Sequence, residues 1–464
     1  MLEIKFVRRV WGGAARIAPG VALAAAVLVS SERVSAETLF SALSYTYVSN
    51  PDLNAARANM RAADESVPQA LAGWRPVILA IGSVTQHVSD TNPGGRTDRT
   101  ETSVALTFEQ NLFAGFTTLN STKSAEASVL SNREILSNTE QNTLLSAVQA
   151  YMNVLTDQAI VGLNQQNIEV LTEQLRATRD RFQVGEVTNT DVAQAEAALS
   201  GAYTQLNTAQ ANLLASKATY RQVIGREPVG LAPGTPARSI PHNLDDALRL
   251  AHDIHPAIKA QVYAEESAAF TVKVAEGSLL PSVTLDGRVS HTLNPSTFFD
   301  RTTSGQVGVN VTVPIYQGGA EYSLVREAKE LRTQALLQID STRQQVRAAV
   351  ISSWGSLEAA VASISSAQAQ VKAAQIALDG VREEAKVGQR TTLDVLDSEQ
   401  TLLDARTSLV TAESDRVVAS YSLLSSVGRL TARNLGLAVE IYDPKVHYQQ
   451  VRDKWFGLRT PSGQ

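Results

Sequence analysis

The sequence carries one plan twice. Asn50-Pro51 returns as His255-Pro256, and Trp74-Arg75-Pro76 as Leu279-Leu280-Pro281, each displaced by 205 positions. Further along, Val184-Gly185 returns as Val387-Gly388, Thr190-Asp191-Val192 as Leu393-Asp394-Val395, and Ile224-Gly225 as Val427-Gly428, all displaced by 203. Such self-similarity marks a tandem duplication, so both halves must fold on the same terms. The change in displacement falls between the first and second strand candidates of each half, where a loop absorbs it.

Each half reads in the same order. A helical segment, 37–72 or 243–279, runs up to a proline, whose preceding residue is biased toward extended geometry. Two strand candidates follow. Val283, Leu285, Gly287 and Val289 alternate with Ser282, Thr284, Asp286 and Arg288; Val307, Val309, Val311 and Val313 alternate with Gln306, Gly308, Asn310 and Thr312. Val104, Leu106, Phe108 and Leu112 alternate similarly in the first half, while 77–88 alternates less cleanly. Strands with one apolar and one polar face suit a water-filled transmembrane barrel; a surface hairpin on a soluble domain is the competing reading.

Beyond the strands no proline occurs from 94 to 227 or from 315 to 443, which predicts two helical tracts. In the first, Ile168, Leu171, Leu175, Thr178 and Phe182, then Val192, Ala195, Leu199, Ala202, Leu206, Ala209 and Leu213, hold a 3,4 spacing on either side of Gly185. Val371, Ala374, Leu378, Val381 and Ala385, then Val395, Ser398, Leu402, Ala405, Leu409 and Ala412, repeat it around Gly388. This is a heptad seam, and each half therefore holds an antiparallel coiled-coil hairpin turning near its glycine. As helix, 120–184 spans about 97 Å but 188–226 only about 57 Å; stacking the opening segment, about 54 Å long, on the returning helix restores the length. Four strands per chain cannot close a barrel, whose small members have about eight, so several chains must share one.

Lys5, Arg8, Arg9 and Arg16, the apolar run Ile17 to Val29 and the small-x-small pattern Val34-Ser35-Ala36 predict a secretory signal over 1–36. A membrane anchor would need about 20 apolar residues, and Arg33 interrupts this stretch first. Removing 1–36 takes away five Lys/Arg and two Asp/Glu and moves the formal charge from −5 to −8. The acidic remainder has no basic patch to invite nucleic acid. No other stretch reaches membrane-helix length, so contact with a bilayer requires a barrel or a surface association. The absence of Cys fits an exported protein without disulfides and leaves no acceptor for lipid attachment. The expected organisation is a signal (1–36), a first repeat (37–227), a linker (228–242), a second repeat (243–435) and a tail (436–464) without a counterpart in the repeat.

The segments Val184-Gly185-Glu186-Val187-Thr188-Asn189-Thr190-Asp191-Val192 and Val387-Gly388-Gln389-Arg390-Thr391-Thr392-Leu393-Asp394-Val395-Leu396-Asp397 resemble the paired helix-turn-helix tips of the TolC family. Asn111-Leu112-Phe113-Ala114-Gly115 and Pro314-Ile315-Tyr316-Gln317-Gly318-Gly319, at the strand ends, support the resemblance, which runs from about 37 to 435. It implies a mainly helical fold with a small β part, in which a homotrimer contributes four strands per subunit to a 12-stranded outer-membrane barrel continued by a periplasmic helical tunnel. It also implies docking of a periplasmic adaptor and an inner-membrane RND or ABC transporter at the tips, around Val184, Gly185, Val387 and Gly388.

By the same resemblance Asp394 and Asp397 form an entrance gate, and Arg390 clasps Thr190 and Asp191 of the other hairpin. Spacing alone says only that the two carboxylates can share a helix face, which a pair of solvated acids also does. Of the six carboxylates that three chains would crowd around one axis, some are expected to titrate above their usual range. Ala385 stands where some relatives carry a second clasping residue, a tyrosine. His252 and His255 have the i, i+3 spacing of a helical metal pair, but Tyr47 and Asn50, their counterparts, would not ligate alike, so no metal site is expected. No catalytic constellation, phosphate loop or cofactor motif is present, which argues against an enzyme. Efflux of small toxic compounds such as drugs, dyes and detergents is the leading reading, type I protein secretion the alternative. A pore-less periplasmic scaffold is a third, of a different class.

Overall fold

The computed structural model describes residues 36–461 and Gly463, so residues 1–35 of the expected signal lie outside the described part. The chain opens with α1 (Leu39–Ser49), α2 (Pro51–Asp64) and α3 (Ser66–Leu71), then β1 (Val77–Thr91) and β2 (Gly95–Ala114). The first hairpin is α4 (Thr117–Gln183) and α5 (Asn189–Ile224). The order returns in α6 (Leu244–Ile254), α7 (Pro256–Gly277), β3 (Ser282–Leu293), β4 (Arg301–Thr312), α8 (Ala320–Lys386) and α9 (Thr392–Ser426). Two short helices, α10 (Ala432–Leu435) and α11 (Pro444–Val451), end the chain.

The opening segment is not one helix, as expected from the sequence, but is broken at Asn50-Pro51 and again at His255-Pro256. Asn50 has ψ 125° and His255 ψ 124°, the extended geometry that a following proline imposes, and each proline becomes the first residue of the next helix. Asn50 accepts from the Leu53 N–H at 3.0 Å while its amide donates to the Val223 carbonyl at 2.8 Å. That second bond joins the end of α5 to the start of α2, so the short returning helix is continued by the opening segment. In the second half, Gly428, just past α9, packs against the backbone of His255.

His255 caps α7 through its Nδ1, which accepts from the Ala257 N–H at 3.1 Å, so the imidazole must be neutral there. Burial pushes its pKa down to about 4. Because the folded value lies below the unfolded one, stability is intact above about pH 6.5 and is lost as pH falls through about 4, to the extent of about 3 kcal/mol per chain. Thermal unfolding between pH 7.5 and 4 should show this loss. His255→Asn, which copies Asn50 at the equivalent position, should keep the cap and flatten that part of the pH profile; an unchanged profile would place the acid sensitivity elsewhere.

The sheet order is β1-β2-β3-β4, antiparallel throughout, with the β2–β3 pairing joining the halves. Cross-strand partners share a face, and the register sorts residues sharply. One face carries Ile78, Phe108, Gly287 and Val307 in one row and Ala80, Leu106, Val289 and Gly305 in the next. The other carries Ser83, Ser103, Thr292 and Thr302, with Asp286, Arg288 and Gln306 nearby. Strand β1 breaks the alternation, because Val77, Leu79 and Ile81 lie on the otherwise polar face.

Beneath the sheet the two halves cross with backbone against backbone. A Cβ on Gly115 would stand 2.2 Å from the Gly277 carbonyl oxygen, and one on Gly277 2.5 Å from that of Gly115. Further from the sheet, α1, α2, α4 and the ends of α5 and α9 bury Leu43, Leu53, Leu144, Val148, Tyr151, Tyr220 and Tyr421. Each such leucine contributes about 1.5–3 kcal/mol of transfer free energy. The linker and the tail cover this core, with the Ala237 N–H donating to Ser420 Oγ at 2.9 Å.

Candidate functional site

At the end of the hairpins away from the sheet, both turns are built the same way. Gly185 has φ 79° and Gly388 φ 78°, left-handed values that favour glycine. Each closes the preceding helix with a 6→1 bond, Glu186 N–H to Arg181 C=O and Gln389 N–H to Glu384 C=O, both 2.9 Å. Each following helix opens with a capping box. The Asp191 carboxylate accepts from the Thr188 N–H at 2.9 Å and the Asp394 carboxylate from the Thr391 N–H at 2.9 Å, while each threonine hydroxyl accepts from the aspartate N–H in return.

Within the chain, three of the expected site residues already have partners. In the single chain Asp394 closes its helix end, and hydrogen bonds from the Thr391 backbone and hydroxyl hold its carboxyl below the usual range. Arg390 donates from Nε to Glu384 Oε2 at 2.8 Å within its own hairpin and not to Asp191 or Thr190 of the same chain. Glu384 is six positions away across the tight turn, well within a guanidinium's reach, whereas the Asp191 carboxylate is already turned into its own helix end. Asp191 is held below the usual range first by the Thr188 hydroxyl, then by the Thr188 backbone, with a smaller contribution from Thr392 of the second tip. Thr190 is exposed in the first turn of α5, and Asp397 is exposed one turn into α9 without a side-chain hydrogen bond among the described residues.

Val184 and Val387 point outward at 72% and 71% exposure, one apolar knob on each tip. Behind them the seam residues Leu171, Leu175, Ala195 and Ala202 close on Leu396 of α9, so the second hairpin packs into the first. Phe182, expected in the seam, is instead exposed at the end of α4, where the turn leaves no facing residue. Arg179 and Glu196 brace one hairpin at 2.5 Å, and Arg382 and Glu399 the other. Both pairs and the Thr-x-x-Asp caps recur at the displacement of 203 that found the tips, a signal that could have revealed them in the sequence.

His252 lies in the last turn of α6 and His255 at the break itself, with its Nδ1 already engaged as a cap of α7. At the other end, β1 and β4 present edges with no partner strand among the described residues. No described helix is long and apolar enough to cross a membrane. A sheet with one apolar and one polar face, open at both edges and carried on helical hairpins about 100 Å long, defines a subunit of a shared barrel with a helical extension.

The chain belongs to the family described as outer membrane efflux protein, whose profile matches residues 42–226 and 247–429, one stretch in each half. It is 44% identical over 451 residues, 97% of either chain, to the outer membrane efflux protein BepC of Brucella suis biovar 1 (strain 1330). It is 27% identical to the outer membrane protein TolC of Escherichia coli (strain K12), covering 86% of this chain and 84% of that one. The solved Campylobacter jejuni CmeC outer membrane channel shares the fold with a TM-score of 0.77 over 89% of each chain at 16% identity. This protein is an efflux channel subunit of the outer membrane.

Proposed function

We propose that three copies close a 12-stranded barrel, continue it as a periplasmic tunnel, and pass small toxic or hydrophobic compounds delivered by an inner-membrane transporter and its adaptor. The observation that carries this reading is the pair of unpaired sheet edges: four strands are too few for a barrel, and twelve satisfy both the edges and a water-filled interior. The adaptor docks on the tips, where Val184 and Val387 offer apolar contact beside glycine turns. A strain lacking the gene should become sensitive to drugs, dyes and detergents, and the intact gene should restore resistance. Unchanged sensitivity together with loss of a secreted protein would instead favour protein export.

The gate is assigned to Asp397 first and Asp394 second. Asp394 faces its own helix end, whereas Asp397 is exposed with no side-chain hydrogen-bond partner among the described residues and shares its helix face. Three copies around one axis would attract cations, most strongly at low salt. In planar bilayers, Asp397→Asn should raise the concentration of multivalent cation needed for half-block about tenfold or more. Asp394→Asn should do less. If Asp397→Asn is blocked at the wild-type concentration, the entrance lies elsewhere. Arg390 is proposed to reach the carboxylate of a neighbouring subunit when the closed ring assembles, exchanging its Glu384 partner for it.

A further inference from the structure

The tail does not simply trail from the second repeat. It runs alongside the opening helices: the Tyr442 N–H donates to the Tyr47 hydroxyl at 3.1 Å, His447 meets Asp64 at 2.9 Å, and Arg75 donates to the Lys454 carbonyl at 2.8 Å. The partners advance along the chain to Arg75, two residues before β1, so the tail ends at the base of the sheet. There Arg75 lies 4.9 Å over the ring of Trp455. Beyond that ring, Trp455, Phe456 and Leu458 are 65%, 89% and 102% exposed, and Trp74 beside Arg75 is 45% exposed. Lys454 and Arg459 flank them.

We propose that residues 454–459 are an interfacial anchor that seats in the periplasm-facing leaflet of the outer membrane and fixes the depth of the barrel. Three large apolar side chains left in water at the rim of a membrane sheet are unfavourable, and phospholipid is the phase that continues the apolar face starting at Ile78. Tryptophan prefers the headgroup level, where its ring is buried and its N–H stays wet, and the flanking cations reach lipid phosphates there. The Arg75 contact holds the segment at that level. The anchor rests on the sheet standing in the bilayer, and each variant's channel conductance checks that separately.

The test uses the full-length protein in phosphatidylethanolamine and phosphatidylglycerol vesicles whose acyl chains are brominated either near the headgroup or near the terminal methyl. Trp455 emission is read as wild type minus Trp455→Phe, and directly in Trp74→Phe/Trp354→Phe, where Trp455 is the one tryptophan outside the expected signal. Shallow bromines should remove most of the Trp455 emission and deep bromines much less. Emission unchanged by either lipid would overturn the anchor: strong quenching by aqueous acrylamide would then leave the tail in water, and protection from acrylamide would place it against a second copy of the chain.

Discussion

Leu106→Arg should abolish assembly in the outer membrane, while Ser103→Arg, three positions away on the same strand, should leave it intact. Leu106 lies in register with Ala80 and Val289 and is 54% exposed on the apolar face. An arginine facing lipid near the bilayer midplane costs about 2–4 kcal/mol per chain, and every subunit of the barrel would pay it. Ser103 sits opposite Ser83 and Thr292 on the polar face, where a guanidinium meets water and hydroxyls. Its introduction should lower cation preference in single-channel recordings without loss of the heat-modifiable band in the outer-membrane fraction. Equal tolerance of both substitutions would mean that the apolar face does not meet lipid.

Gly115→Ala should be far more damaging than Gly185→Ala although both glycines have positive φ, 58° and 79°. An L residue in that conformation costs about 1–2 kcal/mol, and this is all that Gly185→Ala should lose, because nothing lies within 4 Å of the added Cβ. At Gly115 the methyl would meet the Gly277 carbonyl oxygen at 2.2 Å and Leu280 Cβ at 3.0 Å. The contact is backbone, so it cannot swing away, and the crossing of the halves must open; a total of about 3 kcal/mol or more is expected. Thermal unfolding in detergent compares the two directly. Equal shifts would show that the crossing bears no strain.

The duplication, the hairpin seams and the four strands were all legible in the chain, because each is a periodic pattern set by local geometry. Ala195, Ala202, Leu378 and Ala405 are buried where the heptad spacing puts them. The tip glycines were legible for the same reason, since a reversal between two helices needs a left-handed residue. The break at Asn50-Pro51 is subtler, because the helical pattern continues on both sides of it and only the pre-proline bias toward extended geometry marks the kink. The tail was opaque, because its partners Tyr47, Asp64 and Arg75 lie more than 370 positions earlier.

The pairing of charges shows the same division. The sequence determined that aspartates stand at the starts of α5 and α9 and that Arg390 precedes the second. Which partners Asp394 and Arg390 take within one chain was decided only by the tight turns that bring Thr391 and Glu384 closest. Side-chain hydrogen bonds extend only about 3 Å, so competition among nearby partners is settled by backbone geometry that periodicity does not encode. Periodicity, by contrast, needs only the repeat of a helix or a strand, and this is why the fold could be read from the residues while the wiring of its tips could not.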